Sequence, residues 1–167
     1  MRALFAVLLV FVASPVFGQV TDPCQAIPAG TNFVVTSGSP FTVAWVMDAT
    51  VLADDGVTQV PQRINGFYLR IDAGAKLDIP TLAGAPCPAG TQQAGKIPYT
   101  HRTSTGVARG PHNAYLSAWN FAQDCSSGTC VDTSVRQESA VATVPFAAVD
   151  PRHTGPPRVP ANVVISR

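Results

Sequence analysis

The sequence predicts an all-β domain, an antiparallel β-sandwich of about seven short strands behind a signal peptide. Three observations carry that prediction. Residues 110–120 alternate in strict period two: Ala114, Leu116 and Ala118 point one way, and Asn113, Tyr115, Ser117 and Trp119 the other. That is how a strand with one buried face reads. The chain also holds 13 Gly and 15 Pro in 167 residues. Both residues disrupt helix interiors, and no 3.6-residue apolar periodicity follows the N-terminal run. Finally, all four cysteines (Cys24, Cys87, Cys125 and Cys130) lie behind that run. An even count in that position implies two disulfides formed in an oxidising compartment.

Residues 1–18 read as the signal peptide. Met1 and Arg2 form a short positive start, residues 3–13 are apolar, Ser14 and Pro15 break the run, and Val16, Phe17 and Gly18 suit a signal peptidase. Cleavage is expected after Gly18, before Gln19, placing the mature chain outside the cell or in a periplasm. The apolar run is too short for the roughly 18–20 residues that span a bilayer, and Thr21, Asp22 and Pro23 before Cys24 are unlike the approach to a lipid-modified cysteine. No membrane insertion of the mature chain is expected.

What remains, roughly 150 residues, suits one domain. Eleven basic residues less Arg2 leave ten, against ten acidic. A near-neutral chain with no basic stripe argues against nucleic acid and anionic membranes as partners. The boundaries are residues 19–151 for the sandwich and residues 152–167 for a Pro-rich tail.

Taken in order, residues 31–36 are β-prone and residues 37–40 form a turn. Residues 41–47 alternate, with Phe41, Val43 and Trp45 on one face, and a large indole there anchors a core. Residues 48–63 are a long connection whose Asp48, Asp54 and Asp55 lack the spacing of a calcium loop. Residues 67–72 alternate again, Phe67, Leu69 and Ile71 inward and Tyr68, Arg70 and Asp72 outward. Residues 76–79 make a short edge strand, where charge and proline guard against aggregation. Residues 97–104 form another strand, and residues 121–136 a long loop stapled by Cys125 and Cys130. Residues 138–149 are the last strand, with Pro145 at a bulge or edge. Four cysteines permit three pairings. Cys125 and Cys130 enclose only four residues, which suits a loop clamp and leaves Cys24 with Cys87.

Three segments resemble the fibronectin type III family. Phe41, Thr42, Val43, Ala44 and Trp45 resemble its second strand, which ends in a core tryptophan. Ile64, Asn65, Gly66 and Phe67, followed by Leu69 and Ile71, resemble its third. Residues 105–110, then Ala114, Leu116, Ala118 and Asn120, resemble its sixth strand and the turn before it. The resemblance covers roughly residues 30–150. It implies an immunoglobulin-like sandwich acting as a binding or spacer module, and it sets the N-terminus, the Cys87 connection and the segment after Phe121 at one end, which supports the Cys24–Cys87 pairing. His112 stands where the family has a core tyrosine, the connections after Met47 and Phe121 are long, and disulfides are not a general family feature. These departures also suit a more distant immunoglobulin-like sandwich.

No catalytic constellation is present: no Gly-x-Ser-x-Gly, no His-Glu-x-x-His and no phosphate-cradling glycine loop. His112 reads as a hydrogen-bonded structural histidine. His101 and His112, approaching across neighbouring strands, would make two ligands and lack a third. No cofactor or metal is expected. If the third and sixth strands are neighbours, as in the resembled family, Tyr68, Arg70, Tyr115 and Trp119 share an exposed face. Aromatics beside an arginine suit protein recognition or stacking on sugar rings; the alternative is that they only brace the sheet. The long connections are a second candidate surface.

The expectation is therefore a non-catalytic module that binds a protein or carbohydrate at the cell surface. Its rivals are a subunit of a surface filament or multi-domain assembly, self-assembling through the tail segment from Pro156 to Ser166, and a small secreted hydrolase or metal enzyme. The proline-rich lead and the Asn-Val-Val-Ile at 162–165 resemble the start of another such domain; the tail is expected to dock locally or stay loose, the alternatives being a remnant of a longer array or a strand donated to a neighbouring subunit.

Overall fold

The segment around Trp45 is the most deeply buried in the structure. In the computed structural model, which describes residues 8–12, 22–25, 33–53, 56–81 and 84–150, all five positions from Val43 to Met47 are closed to solvent. A strand covered on both faces has to be continuously apolar, and this one is. Phe41, Val43, Trp45 and Met47 join the main core, while Val46 packs with Cys24 and Cys87 in a second, smaller cluster.

Eleven strands run through the described residues: β1 Leu8–Val12, β2 Phe33–Thr36, β3 Thr42–Met47, β4 Thr50–Leu52, β5 Gln59–Pro61, β6 Gly66–Ile71, β7 Leu77–Pro80, β8 Ile97–Arg102, β9 Gly110–Asp124, β10 Val131–Glu138 and β11 Ala142–Val149. The all-β expectation holds. One sheet has the order β1-β3-β8, another the order β2-β11-β9-β6-β7 with β10 also on β9, and β4 pairs β5 in a separate ribbon. The two larger sheets share one core, where Trp45 of β3 meets Phe67 of β6 edge-on with ring centroids 4.9 Å apart. Every pair is antiparallel except β2 with β11, which is parallel.

Two expectations are corrected. Residues 121–136 are not a loop. β9 continues to Asp124, and β10 returns along it, so the two make a hairpin arm closed at its tip by Cys125–Cys130. Fifteen residues of β9 extend about 50 Å at the usual rise per residue, well past β6, whose register ends opposite Trp119. The connection 48–63 contains the β4–β5 ribbon; Asp54 and Asp55 lie outside the described residues. Separately from these corrections, Leu8–Val12, within the stretch expected to be a signal peptide, form β1, which lies antiparallel on β3 from Leu8 opposite Val46 to Val12 opposite Thr42. The expected cleavage point at Gly18 and the whole tail from Pro156 to Ser166 also fall outside the described residues.

Both expected cysteine pairs are within bonding distance, Cys24–Cys87 with S–S 2.05 Å and Cys125–Cys130 with 2.04 Å. Among the described residues no helix is long and apolar enough to cross a membrane.

Candidate functional site

Period two decides what the outer face of the larger sheet presents. With Phe67 and Leu69 turned into the core, Tyr68 and Arg70 of β6 face away from it. With Ala114, Leu116 and Ala118 turned in, Tyr115, Ser117 and Trp119 of β9 face away likewise. The register sets Arg70 opposite Tyr115, Tyr68 opposite Ser117 and Gly66 opposite Trp119. On the flanks, Asp78 of β7 lies opposite Tyr68, and Glu138 of β10 opposite Trp119. The four candidate residues therefore do share one face.

Trp119 is not an exposed platform, however. The residue is only 7% exposed, and three neighbours account for that. Gly66 leaves room beneath it: a Cβ there would lie 2.5 Å from the indole. Arg136 covers it, with the guanidinium carbon 3.9 Å from the ring centroid. Asp78 Oδ1 accepts its Nε1–H at 3.0 Å. Arg136 also donates to Tyr68 Oη and to Asp78 Oδ2, each at 2.6 Å. Charge-assisted hydrogen bonds of this length hold a planar guanidinium in place, and the hydroxyl and carboxylate raise its pKa further above the usual arginine value.

A recess of about 330 Å³ opens beside this cluster, lined by Tyr68, Arg70, Gly74, Lys76, Tyr115, Ser117, Glu138 and Val141. Lys76 Nζ lies 4.0 Å from the Tyr68 ring centroid and donates to Glu138 Oε2 at 2.5 Å. Ser117 donates to the other oxygen, Oε1, at 2.5 Å. Burial alone pushes the Glu138 carboxyl up, but the hydrogen bonds from Lys76 and Ser117 outweigh it and hold the group below its ordinary value. Glu138 is thus an anion at neutral pH that neutralises Lys76. Arg70 differs. Its guanidinium carbon lies 4.6 Å from the Tyr115 ring centroid, and no carboxylate among the described residues pairs with it. The wall of the recess thus offers two aromatic rings and one uncompensated, exposed cation.

No family model, curated protein or solved structure matches this chain.

The structure also places the histidines. His101 lies on β8 opposite Val43 in one sheet, and His112 on β9 in the other, so they are not cross-strand neighbours. Among the described residues no three His, Cys, Asp or Glu side chains cluster as a metal site would require. His112 is held within the fold. Its Nδ1 is 2.6 Å from Asp72 Oδ2, its Nε2 is 2.7 Å from the Ala108 carbonyl oxygen, and its ring stacks on Phe146 at 5.3 Å. The Asp72 carboxylate, which also accepts the Asn113 amide at 2.8 Å, raises the His112 pKa, and the imidazole in turn lowers that of Asp72.

The sequence reading missed Lys76, Asp78, Arg136 and Glu138 as parts of this face. A signal for the last two was present. Val131, Thr133 and Val135 recur at every second position with polar residues between, the β-prone alternation of a strand.

Proposed function

We propose that this chain is a secreted or periplasmic, immunoglobulin-like β-sandwich of the fibronectin type III kind, and that it acts by binding and not by catalysis. Two disulfides behind an apolar N-terminal run support the compartment. Two sheets sharing a core, with Trp45 at its centre, support the fold type.

The ligand belongs on the outer sheet face, at the recess between Tyr68, Arg70 and Tyr115. The single observation that carries this is the state of Arg70, stacked on Tyr115 and unopposed by any carboxylate among the described residues, while Lys76 and Arg136 beside it are neutralised by Glu138 and Asp78. Aromatic faces suit the apolar faces of sugar rings, and an open guanidinium suits a carboxylate or sulfate. The reading is therefore a module for an acidic polysaccharide at a cell surface, with an acidic protein segment the second ligand class. An array of neutral and acidic glycans probed with the secreted protein tests it. Retention on uronic-acid or sulfated glycans, lost in Arg70→Gln and Tyr115→Ala, supports the reading; equal retention of the variants contradicts it.

A subunit role in a larger assembly is the second reading, favoured by the proline-rich tail and its β-prone residues 162–166.

A further inference from the structure

β3 is the innermost strand of its sheet, flanked by β8 on one side and β1 on the other. The β1 flank consists of Leu8–Val12, paired over five residues, from Leu8 opposite Val46 to Val12 opposite Thr42. These residues fall in the stretch read as a leader. If it is removed, the flank of β3 loses its partner along five of its six residues, and half of its N–H and C=O groups lose theirs. An apolar strand with an open edge templates further pairing, and Val43, Ala44, Trp45 and Val46 are all fully buried with β1 in place.

We propose that this edge is a strand-acceptor site, held by Leu8–Val12 in the unprocessed chain and taken by residues 162–166 of the same chain once the leader is gone. The inference rests on the secretion reading. Three observations favour that occupant. The stretch reads Asn-Val-Val-Ile-Ser, matching in length the five residues it replaces, with three β-branched residues at its centre. The tail also starts at the correct end. Ser37 N–H donates to the Val149 carbonyl at 2.9 Å, and residues 37–41 lead directly into Thr42, so β11 ends beside the start of β3. Its lead is long enough as well. An antiparallel entry requires the chain to climb five residues of β3, about 16 Å, before turning back. Residues 151–160 hold four prolines and reach about 31 Å in an extended polyproline conformation. Matched to the register of β1, Ser166 falls opposite Thr42 and Val164 opposite Ala44.

The test begins with the intact mass of the secreted protein, which shows whether Leu8–Val12 are present. Their retention overturns the proposal, because the edge is then filled by Leu8–Val12. With the leader absent, hydrogen exchange over residues 42–47 is compared between the wild type and the double variant Val163→Asp, Ile165→Asp. The proposal expects slow exchange in the wild type and at least tenfold faster exchange in the variant. Equal rates overturn it. A second pair, Thr42→Cys with Ser166→Cys, is then oxidised: a cross-linked monomer supports the same-chain strand, and a cross-linked dimer or no cross-link overturns it. Glycan binding through Arg70 is measured alongside, so that failure of the tail and failure of the binding face are read separately.

Discussion

The Trp119 indole lies flat against the backbone of Gly66, so close that any Cβ at position 66 would stand 2.5 Å from its ring. The glycine is the reason the indole can be recessed under Arg136 and bonded to Asp78 instead of standing out from the sheet. An aromatic ring lying across a strand glycine also returns the packing that the glycine lacks. Gly66→Ala therefore forces the ring or the strand to shift, and overpacking of this kind costs about 1–3 kcal/mol. Urea unfolding of the variant should show a lower midpoint at an unchanged slope.

Trp119→Ala should be worse, because it removes the ring on which Arg136 rests and leaves Asp78 without one donor. Loss of a buried aromatic costs about 3–5 kcal/mol. Thermal unfolding should show this, and the variant is therefore unsuitable as a binding probe. Arg70→Gln and Tyr115→Ala, at the rim of the recess, should leave the melting temperature nearly unchanged.

The Asp72–His112 pair should make stability depend on pH in a defined direction. The His112 pKa is raised above its ordinary 6.5, so its contribution is complete below that value and is lost as pH rises through the folded value. Asp72 is lowered below 3.8, so its contribution is present above that value and is lost as pH falls through the folded one. Stability from the pair is greatest between about pH 4 and 6.5. Denaturant midpoints measured from pH 3 to 9 should show a maximum there that flattens in His112→Gln; a curve of the same shape in both proteins contradicts the assignment.

The two disulfides should differ in weight. Cys24–Cys87 spans 63 positions and Cys125–Cys130 only 5. Constraint of the unfolded chain scales with the closed loop, giving about 4 kcal/mol for the first and about 2 for the second. Replacing the first pair by serine also opens the packed cluster of Cys24, Val46 and Cys87. Calorimetry should show a large loss for the first pair. For the second, the loss should be small, with faster hydrogen exchange confined to the tip of the β9–β10 arm.

The core was legible in the sequence wherever one face of a strand is buried, because period two then separates the two sides. Phe67, Leu69, Ala114, Leu116 and Ala118 fell on the inward face as the alternation required. The pattern did not show that β3 is covered on both sides, since Ala44 and Val46 are small enough to pass as ordinary outward residues. The β9–β10 arm was missed because Cys125, Ser126, Ser127, Gly128 and Thr129 dominate the reading as loop residues, although they form only its tip. The outer face was legible as a set of residues but not in its exposure. What buries Trp119 is Arg136, which is 17 positions away in sequence and reaches it only because β10 returns along β9.

The central claim is that Arg70 is the ligand-facing cation of this sheet, and a titration tests it most directly. The protein is titrated with polygalacturonate at low and at physiological salt, beside Arg70→Gln and a Lys96→Gln control remote from the face. A guanidinium that meets a carboxylate contributes about 1.5–3 kcal/mol. Arg70→Gln should therefore weaken binding roughly ten- to hundredfold, with a shallower salt dependence, and the control should match the wild type. Equal affinities for wild type and Arg70→Gln, or no binding by any of the three, would contradict the account.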